Sequence, residues 1–253
     1  MNIVLLITFI YGLTLGSFYN VVGLRIPENK SIVAPRSACP NCYHQLTALE
    51  LIPVLSYVFQ GGKCRQCKTG ISPIYPLVEL TTGLLFVSAP LVLGWTTELF
   101  VAWTLISLFI IIFVSDITYM LIPDKILIVF AGIFLVERIF LPLTPWWDSL
   151  LGAAIGFTLL LLIAIVSKGG MGGGDIKLFA LIGFVVGTKV MLVSFFLSTL
   201  YGALFGIIGL VFKIVKRGKP IPFGPFIALG TLTAYYYYDE IIYYYLHILT
   251  LGF

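Results

Sequence analysis

The sequence predicts an all-α polytopic membrane protein of about eight transmembrane helices, with a small cytoplasmic zinc-ribbon-like loop between the first and second helices. Three observations predict it. Of the 253 residues, 60% are hydrophobic and only 10% are charged, at a mean hydropathy of +1.07, whereas soluble domains carry about 25% charged residues. The apolar residues come in runs of about 20, the length that crosses a bilayer core. All four cysteines fall in the only sizeable polar stretch, residues 25–73.

The first run, 2–24, starts neutral and meets its first cation at Arg25. It lacks the basic n-region and small-residue cleavage site of a signal peptide, so it reads as a retained first span. Further spans are expected near 74–94, 99–115, 125–143, 149–166, 176–188, 190–212 and 223–240. One helix over the apolar region 178–212 would reach roughly 50 Å, too far for one crossing, so a break is expected at "GTK", 187–189. The chain thus divides into a first helix (1–24), a cysteine loop (25–73) and a membrane-embedded part (74–253).

Charge sets the orientation. With the loop 25–73 placed in the cytoplasm, thirteen of the fifteen cations fall inside, Lys213, Lys216, Arg217 and Lys219 among them, and only Arg138 and Lys189 fall outside. This asymmetry obeys the positive-inside rule and puts both termini outside. The tail "AYYYYDEIIYYYLHILTLGF" is expected to form an outer interfacial belt. The net charge of +4 follows from topology and attraction to anionic lipid, so no nucleic-acid partner is implied.

The cysteines are spaced C-x2-C-x21-C-x2-C: Cys39 and Cys42 in "CPNC", Cys64 and Cys67 in "CRQC". Two such knuckles present four thiolates in a tetrahedron, the geometry of Zn2+. Arg36, Lys63, Arg65 and Lys68 offset the charge of a four-thiolate site. The alternative is two disulfides, which the reducing cytosol disfavours. Four protein ligands leave no open position for water, so the zinc would be structural. His44 is read as a surface residue, and His247 carries no assigned role.

Carboxylates at membrane depth are costly and mark function. Glu28 and Glu50 lie in the cytoplasmic loop, Glu98, Asp148, Asp239 and Glu240 read as solvated charges at outer ends, and Glu137 adjoins Arg138. Four acids remain: Glu79, Asp116, Asp124 and Asp175. Asp116 ends the third span and Asp175 opens the sixth, so two crossings return both to the cytoplasmic edge. Two carboxylates sharing one site push their pKa values apart, giving an acid and a base that activate water against a peptide carbonyl. The competing reading is helix capping or pairing with lysine. It is good for Asp124 in "IPDK", which begins the fourth span, and it is open for Asp175. Asp175 follows Gly169, Gly170, Gly172, Gly173 and Gly174. No Lys-Ser/Thr pair follows as a phosphate loop requires, and flexible backbone at Gly172 and Gly174 would let an extended substrate approach the carboxylate.

Along nearly its whole length the chain resembles the type IV prepilin peptidases, which belong with the G-x-G-D intramembrane aspartyl proteases. The resemblance rests on "GSFYNVVGLRIP", "CPNC", "CRQC", "LELIPVLSY", "ISPIYPLVEL", "DITYMLIPD" and "GMGGGDIKL". It implies an eight-helix enzyme of the bacterial cytoplasmic membrane. Such an enzyme cuts the basic leader from prepilin-like precursors at the cytoplasmic face, with Asp116 and Asp175 as the catalytic pair. It further implies N-methylation of the new N-terminus with S-adenosylmethionine, for which no sequence feature marks the pocket. Glu79 in "YPLVEL" matches the family, and capping or orienting the second helix competes with a catalytic role.

Two other classes fit parts of the chain. A proton-coupled transporter also needs intramembrane carboxylates, but it predicts them at the bilayer midplane within a repeated architecture. A non-enzymatic zinc-ribbon adaptor of a pilus assembly complex predicts tolerance of substitution at both aspartates.

Overall fold

The computed structural model describes residues 2–168, 170–213 and 221–251, and Gly169, Lys216, Arg217 and Lys219 lie outside them. The described helices are α1 (Asn2–Arg25), α2 (Leu55–Phe59), α3 (Ile74–Leu93), α4 (Glu98–Tyr119), α5 (Asp124–Phe140), α6 (Asp148–Val166), α7 (Gly173–Val211) and α8 (Gly224–Leu251). No strand occurs among the described residues, only two isolated β-bridges in the cysteine loop. Helices α1, α3, α4, α6 and α7 are each long and apolar enough to cross a membrane. Every span expected from the sequence falls on a helix. The two expected within 176–212 are the halves of α7, which breaks at Gly187 with φ 79° and ψ 172°.

The chain forms two compact units, Met1–Tyr119 and Met120–Phe253. In the first, α1 packs on α3 through Gly12 and Gly16, one turn apart. A Cβ at Gly12 would stand 2.8 Å from the Gly83 Cα, and one at Gly16 would stand 2.8 Å from the Glu79 Cα. Small residues four apart let backbones approach where lipid gives no hydrophobic drive to associate. Polar side chains in this unit are tied across helices. Tyr19 and Ser107 hydroxyls meet at 2.6 Å, Asn20 Nδ2 donates to the Tyr75 carbonyl, and the Trp103 indole donates to the Phe86 carbonyl.

The second unit repeats the device. Gly152 and Gly156 of α6 lie directly against the backbone of α7 at Gly183 and Phe179, and Gly230 of α8 lies against Ser198. A break in a buried helix leaves carbonyl and N–H groups without partners, and two charged side chains supply them at Gly187. The buried Arg138 donates from Nε to the Val185 carbonyl at 2.8 Å, and the Asp148 carboxylate accepts the Thr188 N–H. Asp148, expected as a solvated outer charge, is therefore a cap for the second half of α7. Helix α8 bends at Tyr237 (φ −126°, ψ 25°) and continues to Leu251, so the tyrosine-rich tail carries the helix beyond the span expected to end near 240.

Candidate functional site

Asp116 lies inside α4, one turn before its end at Tyr119, and only 6% of its surface is exposed. The helix runs further than the expected 115 because Tyr119 is anchored, its hydroxyl donating to the Leu24 carbonyl at the end of α1. A buried carboxylate in so apolar a helix is the kind of residue that membranes tolerate only for a purpose.

Asp175 stands in the first turn of α7, whose N-cap is Gly172. Its Oδ2 accepts the Gly172 N–H at 3.2 Å, so the carboxylate reaches back over the helix start, where negative charge is favoured. The capping reading of Asp175 is thus realised in the structure. Among the described residues, the glycines of the string sit at ordinary backbone angles; none has positive φ. Their small size has a different use. A Cβ on Gly174 would stand 2.8 Å from Ile122 Cβ, and one on Gly172 would crowd the Asp175 carboxylate at 3.2 Å. Both positions stand in close approach to a neighbouring side chain. Asp124 opens α5 and receives both its ion-pair hydrogen bonds from Lys177 Nζ, at 2.8 and 2.7 Å. Asp116 belongs to the first unit, and Asp124 and Asp175 to the second.

The four cysteines converge. Their Sγ atoms all lie within 4.8 Å of one another, and none is in a disulfide. Cys39 and Cys67 sulfurs are 3.7 Å apart, and Cys42 and Cys64 are 3.9 Å apart. A tetrahedron with metal–sulfur bonds of about 2.3 Å has edges of about 3.8 Å, so the donor set fits a zinc-sized ion. The two knuckles are built alike. In each the N–H of the first cysteine donates across the turn, from Cys39 to the His44 carbonyl and from Cys64 to the Thr69 carbonyl. In each the residue after the second cysteine takes the left-handed conformation, Tyr43 at φ 58° and Lys68 at φ 60°. Electrostatics points the same way. The Thr69 hydroxyl and backbone hold the Cys67 thiol down at about 5. For Cys42 the His44 backbone favours the thiolate, but burial and the sulfurs of Cys67, Cys39 and Cys64 outweigh it and push the thiol up to about 12. Four crowded sulfurs ionise together only around a cation.

Two acids have partners that the sequence did not reveal. Glu79 of α3 accepts the Val54 N–H at 2.7 Å and so ties the cysteine loop to α3. It holds a β-branched residue at φ 60°, a strained conformation that needs such an anchor. Glu50 was read simply as a loop acid, yet it is 8% exposed. Its Oε2 accepts from the Thr47 N–H, the Thr47 hydroxyl and His44 Nε2. An S/T-x-x-E box at Thr47–Glu50 was the available signal.

Fold and site together define a polytopic helical membrane protein with a four-cysteine cluster that could hold a metal ion in the loop after its first helix. Residues 10–93 match the bacterial peptidase A24 N-terminal domain, and residues 103–207 match the type IV leader peptidase family. The chain is 50% identical to a prepilin leader peptidase/N-methyltransferase of Bacillus subtilis, over 95% of this chain and 97% of that relative. It is 35% identical to the protein of that name from Aeromonas salmonicida, over 95% of this chain and 93% of the relative. The corresponding figures for Pseudomonas aeruginosa are 34%, 93% and 91%. No solved structure matches. The chain belongs to the type IV leader peptidase family.

Proposed function

We propose that the protein is a bifunctional prepilin leader peptidase and N-methyltransferase of the bacterial cytoplasmic membrane. The reading is supported by the full-length similarity to relatives of that name and, in the structure, by one observation above others: the buried Asp116 carboxylate near the end of an apolar helix. Asp116 and Asp175 act as the aspartate pair. The ionised member takes a proton from water as its oxygen bonds to the scissile carbonyl carbon. The protonated member stabilises the resulting oxyanion, and a proton passes to the departing amine as the C–N bond breaks. A cationic leader followed by an apolar helix places the cut at the inner surface, where the positive-inside reading puts both aspartates, with the termini outside.

The cysteine quartet holds a structural zinc ion. S-adenosylmethionine, when bound, would supply an electrophilic methyl group for the new N-terminal amine: the sulfur–methyl bond would break to leave a neutral thioether as the nitrogen–carbon bond forms, and the amine would lose one proton. The substrate is a prepilin-like precursor.

The deciding experiment is cleavage of a prepilin-like peptide in detergent or membranes by wild type, Asp116→Asn and Asp175→Asn. Loss of turnover in both supports the pair. Turnover within a few-fold of wild type in either one rules it out.

A further inference from the structure

Segment 49–59, "LELIPVLSYVF", turns its apolar side chains outward. Leu49, Leu51, Ile52, Leu55, Val58 and Phe59 are all exposed, Phe59 to 85%. The one acid of the segment, Glu50, is buried on Thr47 and His44 and adds no charge to this surface. An apolar patch of this kind marks a protein or a membrane contact.

Depth decides between them. Glu79, whose carboxylate accepts the Val54 N–H, stands five residues inside α3, about 7.5 Å along its axis. Its Cα lies against Gly16 of α1, nine residues and about 13.5 Å before Arg25, where α1 ends at its first cation. Even with a helical side chain leaning toward its N-terminus, the bond sets Val54, and with it the start of α2, alongside α1 and α3 rather than beyond their ends. Both helices are long and apolar enough to cross a membrane. The chain thus leaves α1 at Arg25 and returns to the level of the spans before α3 begins.

Charge follows the same pattern. Leu49, Ile52, Leu55 and Phe59 line a cavity of about 550 Å3 together with Lys63, Arg65 and Lys68. The Tyr57 hydroxyl, donating to the Ile71 carbonyl, and the Ile71 N–H, donating to the Gly62 carbonyl, hold this second knuckle against α2. An apolar wall with cations at one side suits an amphiphile with an anionic headgroup, and the same three cations repel a basic leader peptide.

We propose that segment 49–59 is an interfacial anchor seated in the leaflet on the side of the cysteine loop. Its cleft holds an anionic phospholipid of that leaflet, the acyl chain on Leu49, Ile52, Leu55 and Phe59 and the phosphate on Lys63, Arg65 and Lys68. With the loop on the cytoplasmic side, as proposed above, this is the leaflet whose anionic lipid attracts basic segments at the membrane surface. The anchor depends on neither proposed activity, so its failure would leave both standing.

The test is photo-crosslinking in the full-length protein, reconstituted into nanodiscs of phosphatidylcholine alone or mixed with phosphatidylglycerol. Phe59→p-benzoylphenylalanine puts the probe at the most exposed position of the segment, and Val58→p-benzoylphenylalanine gives an independent reading. Mass spectrometry of the irradiated protein should find lipid adducts at each position, with phosphatidylglycerol taken up beyond its share of the bilayer. Arg65→Gln and Lys68→Gln should each cut that excess about fivefold. Adducts to peptide alone would place the patch against another part of this chain or a second copy, and overturn the anchor. Lipid adducts in bulk proportion, unmoved by either charge change, would overturn the headgroup site.

Discussion

The Asp148 carboxylate, at the start of α6, accepts the N–H of Thr188 at 3.2 Å, forty positions further along the chain. It thereby caps a helix that begins in the middle of α7. Asp148→Ala is expected to cost about 1 kcal/mol, the usual price of a lost cap, and Asp148→Asn only a few tenths. Gly187→Ala should cost more than either, because it combines a left-handed φ of 79° with a Cβ that collides with the same carboxylate. Thermal unfolding in detergent ranks the three, and an equal midpoint for Gly187→Ala and wild type would contradict the capped break.

Asparagine separates capping from chemistry at Asp175. Its amide oxygen can still accept the Gly172 N–H, so Asp175→Asn should keep the melting temperature. It should nonetheless lose prepilin cleavage by about a hundredfold or more, the scale of general acid–base catalysis. Parallel loss of stability and turnover would mean that the residue is a cap alone.

Gly174 and Ile122 make a testable pair. Gly174→Val drives a branched side chain into Ile122 and should lower cleavage by displacing the start of α7. Adding Ile122→Ala opens the space, and the double variant should recover part of the loss. Additive losses would show that the two positions are not coupled.

Serine in place of Cys39, Cys42, Cys64 or Cys67 should release zinc, since a hydroxyl is a poor ligand beside three thiolates. Because the quartet is remote in sequence from both aspartates, methylation should be lost before proteolysis. Metal analysis by mass spectrometry with both activity assays checks this. A protein with two disulfides and no metal would refute the centre.

The Glu50 carboxyl is held below its ordinary range chiefly by the Thr47 N–H. A depressed native pKa contributes stability that is present above the unfolded value of about 4.3 and is lost as pH falls through the native value. Glu50→Gln should therefore flatten the acid side of the loop's stability profile, read as zinc retention against pH. An unchanged profile would show that the carboxylate is not coupled to folding.

Hydropathy made the spans legible because a bilayer demands long apolar runs, and the excess length around "GTK" revealed the break at Gly187. Cysteine spacing likewise announced the quartet, since a knuckle is a local structure. What stayed hidden depends on partners distant in sequence. Arg138 looked like an outer cation and Asp148 like a solvated acid, because Val185 and Thr188 lie far along the chain and only folding brings them together. Glu79 was seen as notable but its hold on Val54 was not, and Glu50 hid in a loop whose burial no composition predicts. The closeness of Ile122 to Gly174 was equally hidden, because it too joins positions far apart in sequence.

The break at Gly187 also fixes a length. The leg 173–186 that begins around Asp175 extends about 21 Å at 1.5 Å per residue, against a hydrocarbon core of about 30 Å. Such a hydrophobic mismatch is relieved by thinning of the surrounding lipid. Lipid around a crossing this short would thin, drawing headgroups and water toward the start of α7. A hydrolase embedded in oil needs a supply of its second substrate, and a helix cut short is a way to bring the aqueous phase to the carboxylate.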